Sequence, residues 1–373
     1  MTEIYLIRHT EAEGNLYRAM QGHWDGDVTA TGLREIDALA ERMRGVKIDA
    51  LYSSDLRRAM LTAGAIRRTH PLELHTLREL REINVGPWEA RFFADVARED
   101  PERMELFIHH AEQFFLPGAE SYDDVRRRAA AALVRIAEEN EGGTVAVVSH
   151  GVTIRCLLSY MLHRSLDDPE LPICGNTGIC RVLYENGRFE VLSVNDCAHL
   201  DALGLPRWKA SVNLRGEPFS PAADPDFYRA CYADSWRAAH GTLEGFEGES
   251  YLAAAKAHAL TDPGCVLRIF DGETEAGLLD LDPQRGAHAL FGWISLLYLA
   301  EPYRGRGLGV QLLGRALMYY RLRGRRAVRL HAAEDNAAAL RFYEKHGFRR
   351  LSYENGRFGK LYLMEFRFGE SHV

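Results

Sequence analysis

The stretch TVAVVSHG, residues 144–151, decides the fold of the first half of the chain. Its β-branched run Thr144–Val148 is short, apolar and uninterrupted, which is typical of a strand buried on both faces of a parallel sheet. A second strand-like segment, Glu3–Ile7, opens the chain, and segments with helical periodicity lie between the two. This alternation of strands and helices predicts an α/β sandwich.

Other elements of the first half follow from capping and periodicity. Ser121 and Asp124 form a capping-box pattern, which predicts the start of a helix just before the 144–148 strand. Apolar residues at helical spacing across 33–43 predict another helix, capped by Thr29 or Thr31. A strand at 48–52 and a helix from about Asp55 complete this part of the pattern.

The composition fits an ordinary globular protein of two domains. The chain has 373 residues, of which 46% are hydrophobic and 27% charged. No apolar run approaches the roughly 20 residues that span a bilayer. The N-terminus lacks the layout of a signal peptide, which predicts a cytoplasmic protein with no membrane partner. A formal net charge of -7 gives no reason to expect nucleic acid as a partner. The six cysteines form no CxxC and no zinc spacing, so we expect buried free thiols and no metal.

The periodic pattern lapses between Asp201 and Asp226, where four of the thirteen prolines lie. We therefore predict a linker at about 201–225 between domains 1–204 and 205–373. The second half has mostly hairpin-like strands and a few helices, which indicates an α+β fold with a mostly antiparallel sheet. The hexapeptide YENGRF occurs at 184–189 and at 353–358, and its Asn-Gly core predicts two similar hairpin turns.

Positively charged and imidazole side chains follow three of the predicted strands in the first half. Arg8 and His9 follow the first strand, His150 follows the 144–148 strand, and Arg57 and Arg58 follow the 48–52 strand. The carboxyl ends of parallel strands meet at one edge, where such sheets bind ligands. Arg8, at least one of Arg57 and Arg58, and the two imidazoles would make a cationic pocket there, suited to a phosphoryl group.

Five ordered motifs in residues 1–200 resemble those of the histidine phosphatase superfamily, which has the phosphoglycerate-mutase-like fold: RHTEAEGN, SSDLRRAMLTA, LREINVGPWEA, PGAESYDDV and VVSHG. The resemblance implies a three-layer α/β domain that needs no cofactor. It also implies that His9 is the nucleophile and that Glu82 is the general acid. The implied phosphoryl-binding residues are Arg8, Asn15, Arg58 and His150.

Some features of this resemblance leave alternatives open. Thr10 and Ala90 stand where many members have glycine, beside the motifs. Arg57 fits a solvated helix residue as well as a phosphate contact. The short stretch between Glu82 and His150 resembles the phosphatase branch, so phosphomonoester hydrolysis is the leading expectation and mutase-type transfer the alternative.

In the second half, a Gly-rich turn precedes a predicted helix at 310–323. The three glycines of RGRGLG, residues 304–309, allow backbone N–H groups to approach an anion, but the pattern is neither a P-loop nor a complete GxGxxG. This segment and NAAALRFYEKHGF, residues 336–348, resemble the GNAT acetyltransferases over about 222–368. The resemblance implies acetyl-CoA as cofactor. Its implied contacts are Arg304, Gly305, Arg306, Gly307, Leu308 and Gly309 to the pyrophosphate, Asn336 to the pantetheine or phosphate arm, and Tyr343 to the departing thiolate. The alternative for Asn336 is an N-cap of its helix, a role that can coexist with the contact, and the alternative for Tyr343 is a core aromatic residue.

The expected whole is a bifunctional enzyme that acts on a small phosphomonoester and an amine. Nothing in the sequence selects the base that deprotonates the amine, although Asp280, Asp282 and Glu301 lie on or near strands. The alternative for the second half is a domain that senses acetyl-CoA without catalysis and regulates the phosphatase.

Overall fold

The computed structural model describes residues 1–202, 204–205, 212–356 and 359–369. The chain divides into two compact units, Met1–Ser211 and Val212–Val373, here called unit one and unit two. In the described parts of both units, no helix is long and apolar enough to cross a membrane.

Unit one is built around a six-stranded sheet with the strand order β3-β2-β4-β1-β5-β6. Its strands are β1 Thr2–Arg8, β2 Ala50–Ser54, β3 Leu74–Leu77, β4 Thr144–Ser149, β5 Ile179–Glu185 and β6 Arg188–Asp196. The first four strands are parallel to one another, and β5 and β6 are added antiparallel at one side.

Helices cover both faces of this sheet. They are α1 Glu13–Tyr17, α2 Ala30–Met43, α3 Arg57–Arg67, α4 Phe93–Glu99, α5 Pro101–His109, α6 Tyr122–Glu139, α7 Gly151–Leu162 and α8 Ala198–Asp201. Ile4 and Leu6 of β1 pack in one core with α6 and α7, whereas Tyr5 and Ile7 pack in another with α2 and α3. Successive side chains of a strand point to opposite faces, so an apolar strand needs a layer on each side. The predicted three-layer α/β fold is confirmed.

Local signals in the sequence set several boundaries. The Thr29 side chain caps α2 by accepting a hydrogen bond from the Gly32 N–H, and Ser121 and Asp124 form the predicted capping box of α6. The turn between β5 and β6 has positive φ at both Asn186 and Gly187, as an Asn-Gly hairpin turn requires.

Unit two contains a seven-stranded sheet with the order β12-β13-β11-β10-β9-β8-β7. Its strands are β7 Arg215–Pro218, β8 Val266–Asp271, β9 Thr274–Asp282, β10 Phe291–Leu299, β11 Ala327–Ala333, β12 Arg349–Gly356 and β13 Gly359–Arg367. Its helices are α9 Pro225–His240, α10 Gly248–Thr261, α11 Gly309–Leu322 and α12 Ala337–Lys345. The sheet is mostly antiparallel, as predicted, because among the described strands only β10 and β11 pair in parallel.

The parallel pair in the middle of this sheet is short. β10 and β11 are paired only from Phe291↔Ala327 to Trp293↔Arg329. On its other side β10 pairs with β9, and the register of that pairing shifts between Ile294 and Leu296. Beyond Trp293, backbone groups of β10 that face β11 are therefore left open to another partner.

Two elements of unit two were not foreseen from the sequence. β7 lies inside the predicted linker 201–225, where its four residues pair with β8 at the edge of the sheet. The helix α10 was also absent from the prediction. Residues 203 and 206–211 of the predicted linker lie outside the described residues, as do residues 357–358 of the second YENGRF copy.

Candidate active sites

The first candidate site lies where β1 and β4 end side by side. In this parallel pair Arg8 stands opposite Ser149, and the His9 N–H donates to the Ser149 carbonyl at 2.9 Å. His9 and His150 are therefore neighbours, with ring centroids 5.1 Å apart. Residues about 140 positions apart in the sequence are thus brought together, as the sheet-edge argument required.

His9 is buried and fixed in one tautomer. Its Nδ1 lies 2.6 Å from the Thr10 carbonyl oxygen, which can only accept, so Nδ1 carries the hydrogen. Burial, and then the charges of Arg58 and Arg8, hold the pKa of His9 well below its ordinary value. The ring is neutral, and its Nε2 lone pair is available as a nucleophile.

Arg58 is fully buried at the start of α3, and the segment 21–25 holds its guanidinium. It donates to the carbonyl oxygens of Gly22 at 2.7 Å and Trp24 at 3.1 Å. It also contacts the Asp25 carboxylate at 3.2 Å. These contacts fix the cation without occupying all of its donors.

Arg8 and Arg57 have different surroundings. Arg8 donates to the Cys174 carbonyl at 2.6 Å, and it lies so close to Gly151 that an added Cβ would be 3.3 Å from the guanidinium carbon. The exposed Arg57 side chain forms an ion pair with Asp27. This pairing favours the solvated alternative for Arg57.

Several buried polar nitrogens at the site have no hydrogen-bond partner in the described part of the chain. They are Nε of Arg8, Nε of Arg58 and both ring nitrogens of His150. Burial, then the charge of Arg58, lowers the pKa of His150 well below its ordinary value. Buried unpaired donors are costly, so the cluster favours a ligand rich in acceptor oxygens, such as a phosphoryl group.

Asn15 and Gln21 lie near this cluster. The Asn15 amide oxygen accepts from the Ala12 N–H at 3.1 Å and from Asn176 at 3.4 Å. Both amide atoms of Gln21 are buried and without a partner among the described residues, while its backbone carbonyl accepts from Arg58. Sequence reasoning missed Gln21, because a lone glutamine in a segment without periodicity gives no signal.

Glu82 is buried against the first turn of α7, which comes directly after His150. Its carboxylate accepts from the N–H groups of Val152 at 3.1 Å and Thr153 at 3.0 Å, and from the Thr153 hydroxyl at 3.2 Å. This position at a helix N-terminus suits a carboxylate. Glu82 as a whole is 8% exposed.

Arg128 of α6 fixes the loop that carries Glu82. It donates to the carbonyl oxygens of Glu79 at 2.7 Å, Arg81 at 2.8 Å and Glu82 at 2.9 Å, and it pairs with Glu120. Sequence reasoning did not find this positioning residue, since an arginine on an amphipathic helix looks like a solvated charge.

A buried acid behind the nucleophile loop gives a test of stability against pH. Glu35 accepts from the Thr10 hydroxyl and the Glu11 N–H, both at 2.7 Å, and burial outweighs these bonds and raises its pKa to about 7. Between its ordinary pKa of 4.5 and about 7, the unfolded chain is ionised while the folded chain holds the proton, so stability falls as pH rises.

We expect Glu35→Gln to stabilise unit one by up to about 3 kcal/mol above pH 7 and by little below pH 4.5. The amide keeps an acceptor oxygen for Thr10 and Glu11 but carries no charge. Denaturant unfolding at pH 4.5 and pH 8 measures the difference. A gain in the free energy of unfolding that is the same at both pH values would contradict the prediction.

The second candidate site is a cavity of about 430 Å³ in unit two. Its wall includes Ser295 and Leu297 of β10 and His331 and Ala333 of β11, the strands that part beyond Trp293. The cavity therefore lies beside backbone groups of β10 that β11 leaves open.

Tyr343 and Asn336 both line this cavity. The Asn336 side chain caps α12 by accepting from the Ala339 N–H at 3.0 Å. Burial raises the pKa of Tyr343, so its hydroxyl stays protonated, and no described side chain or backbone group hydrogen-bonds to it. A buried protonated phenol facing a cavity can act as a general acid.

The glycine-rich segment 304–309 leads into α11. Gly305 and Gly307 have φ of 69° and 75°, which favours glycine, and no side chain caps the start of α11 at Leu308. Arg304 donates to the Leu299 carbonyl at 2.7 Å and to the Asp234 carboxylate, and Arg306 donates to the Pro302 carbonyl at 3.3 Å. Both arginines are exposed. Backbone N–H groups at a helix start bind anions, so this turn fits a pyrophosphate.

Two family models match the chain, in the order that the sequence motifs predicted. The model described as histidine phosphatase superfamily (branch 1) matches residues 4–197, and the acetyltransferase (GNAT) family model matches residues 226–348. Both resemblances are confirmed, and both families are families of enzymes.

Individual relatives match the first half of the chain. A probable phosphoglycerate mutase GpmB of Yersinia pestis is 32% identical over 210 residues, which are 55% of this chain and 98% of that protein. The solved structure of Bacillus stearothermophilus YhfR is 30% identical with a TM-score of 0.52, covering 54% of this chain and 100% of that chain. A phosphoserine phosphatase variant from Entamoeba histolytica, solved in complex with phosphoserine, is 29% identical with a TM-score of 0.49. The match covers 54% of this chain and 100% of that chain.

Proposed function

Since the chain belongs to the histidine phosphatase superfamily (branch 1), we propose that unit one hydrolyses phosphomonoesters through a phosphohistidine at His9. The observation that carries the proposal is the hydrogen bond from Nδ1 of buried His9 to the Thr10 carbonyl. It leaves Nε2 as the nucleophilic atom, next to buried nitrogens of Arg8, Arg58 and His150 that have no partner among the described residues.

In this mechanism, Nε2 of His9 forms a bond to phosphorus while the bond to the ester oxygen breaks. Arg8, Arg58 and His150 bind the other phosphoryl oxygens, and their fixed positions stabilise the charge of the transition state. Glu82 protonates the leaving alkoxide. It then takes a proton from the water that attacks the phosphohistidine, which releases phosphate and restores His9.

Mutase-type transfer is the second candidate for unit one, because the Yersinia pestis relative is named a probable phosphoglycerate mutase. The two reactions differ in whether the phosphoryl group goes to water or to a second hydroxyl. We expect the full chain to release inorganic phosphate from members of a phosphomonoester library. Conversion of 3-phosphoglycerate to 2-phosphoglycerate without phosphate release would favour the mutase.

For unit two, we propose acetyl transfer to an amine. The positive-φ glycines and the uncapped start of α11 fit the pyrophosphate of acetyl-CoA, and the open edge of β10 fits its amide-bearing arm. When bound, acetyl-CoA supplies the acyl thioester. Tyr343, a protonated phenol in the cavity wall, would then donate its proton to the leaving thiolate.

A panel of amines, with thiol release as the measurement, tests this second activity on the full chain. We expect acetyl-CoA to bind and at least one amine to be acetylated. Binding without transfer over a broad panel would favour the alternative, a domain that senses acetyl-CoA and regulates the phosphatase.

Other parts of the proposal concern the whole chain. The division at 204/205, the cytoplasmic location and the joining of both activities in one enzyme stay predictions. The roles of Asn15 in phosphate binding and of Arg304 in pyrophosphate binding stay predictions as well. The expected partners are one small phosphomonoester and one amine.

A further inference from the structure

A cluster of polar side chains lies in the wall of the unit-two cavity, with His258 of α10 at its centre. Its Nδ1 lies 2.8 Å from the Asp280 carboxylate, and its Nε2 lies 3.4 Å from the Asp282 carboxylate. The second oxygen of Asp280 accepts from the Tyr228 hydroxyl at 2.9 Å. His258, Asp280, Asp282 and Tyr228 all line the cavity that also contains Tyr343.

Aromatic rings form the neighbouring part of the same wall. The rings of Tyr232 and Tyr251 are stacked, with centroids 4.1 Å apart and planes 8° apart, and Trp236 lies 6.1 Å from Tyr251. These three rings line the cavity together with Tyr228. Ring faces bind flat apolar surfaces and attract cations, and the two nearby carboxylates add further attraction for a positive charge.

We propose that His258 is the general base of acetyl transfer in unit two, and that the acceptor is a primary amine on an aromatic or extended apolar body. This inference rests on the proposed acetyl transfer. Asp280 positions the imidazole by accepting the Nδ1 hydrogen, which leaves Nε2 to receive a proton. Asp282, beside Nε2, attracts the incoming ammonium group to that atom.

Acetyl transfer by this route removes two protons from nitrogen and exchanges a C–S bond for a C–N bond. The ammonium group gives one proton to Nε2 of His258, and the freed lone pair forms the C–N bond with the thioester carbonyl. The C–S bond breaks, and the thiolate takes the proton of the Tyr343 hydroxyl. The second proton lost from nitrogen restores Tyr343, and His258 releases its proton to water.

The charges around His258 determine the expected pH dependence. Burial lowers its pKa, but the hydrogen bonds and charges of Asp280 and Asp282 outweigh burial and raise the pKa above its ordinary value. The groups that face this cluster are Asp280 and Asp282 of β9, Tyr228 of α9, Cys265 before β8, and Arg285 after β9. A base with a raised pKa is neutral only at higher pH, so the transfer rate should rise with pH through that pKa.

The first experiment replaces His258 with glutamine, which cannot accept the proton as imidazole does. We expect His258→Gln to lower kcat/KM for the amine about 100-fold, with the Kd for acetyl-CoA unchanged. The fall of the transfer rate at low pH, here called the low-pH limb of the pH–rate profile, should disappear in this variant. His288→Gln, the same change at an exposed position of unit two, is the matched control. An unchanged rate and pH profile in His258→Gln would overturn the inference while leaving acetyl transfer standing.

The second experiment needs no turnover. NMR titration of the His258 ring in the full chain should give a midpoint above about 6.5, and Asp280→Asn should move that midpoint about one pH unit lower. The low-pH limb of the rate should move with it. A limb that stays in place while the NMR midpoint moves would assign the base to another group.

The acceptor class is tested with three probes of similar size: phenethylamine, hexylamine and the amino acid phenylalanine. We expect the first two to be acetylated and phenylalanine to be poor, since its carboxylate would meet Asp280 and Asp282. Tyr251→Ala should raise KM for phenethylamine and leave the Kd for acetyl-CoA unchanged. Preference for phenylalanine would overturn the acceptor class, whereas acetyl-CoA binding with no amine acetylated would overturn acetyl transfer itself.

Discussion

The variant His9→Ala is expected to lose phosphatase activity by about 10³-fold or more, because it removes the atom that forms the covalent intermediate. The neighbouring cations would still bind the phosphoryl group, so KM should change far less than kcat. Phosphate release from a phosphomonoester, followed at saturating substrate, measures the effect.

Two further observations make this result specific to the nucleophile. Brief reaction with a ³²P-labelled ester should leave an acid-labile, alkali-stable label on the wild-type chain and none on His9→Ala. His109→Ala, at an exposed position of the same unit, is the control and should keep full activity. Wild-type turnover in His9→Ala would rule out a phosphohistidine at this residue.

The second large effect concerns Glu82 and depends on the leaving group. An alkyl phosphate needs a proton on its leaving oxygen, whereas p-nitrophenolate leaves readily without one. We therefore expect Glu82→Gln to reduce hydrolysis of an alkyl phosphate about 10²–10⁴-fold and hydrolysis of p-nitrophenyl phosphate much less.

The matched control is Glu73→Gln, an exposed glutamate of unit one. In Glu82→Gln, the new amide would also place a donor group against the N–H groups of Val152 and Thr153, so thermal unfolding of each variant should be measured alongside. An equal loss on both substrates would show that Glu82 acts on the structure of the site and not on the leaving group.

Much of the site of unit one could be predicted from sequence, for a physical reason. Arg8, His9 and His150 lie at the carboxyl ends of two buried parallel strands, and parallel strands bring the residues at those ends to one edge of the sheet. Gln21 and Arg128 were missed because their roles depend on tertiary position. Gln21 lies in an irregular segment that wraps Arg58, and Arg128 reaches back to a loop from the surface of a helix.

The fold of unit two was predictable where its strands alternate with clear turns. The helix α10 was missed because apolar residues lie on most of its sides, which leaves no distinct periodic face in AAAKAHAL, residues 253–260. That helix carries His258, so the proposed base had no signal in the sequence. β7 was missed because a four-residue edge strand ending in Pro218 resembles a linker.

The short ladder between β10 and β11 is expected to couple ligand binding to the stability of unit two. In the described strands, only three paired residues of the β10–β11 ladder join the two halves of this sheet. A ligand whose amide-bearing chain runs along β10 would act as an additional short strand. It would form hydrogen bonds with backbone groups of β10 that β11 does not reach. Occupancy at 100 times Kd adds about 2.7 kcal/mol to the free energy of unfolding, so unit two should melt at a clearly higher temperature when loaded.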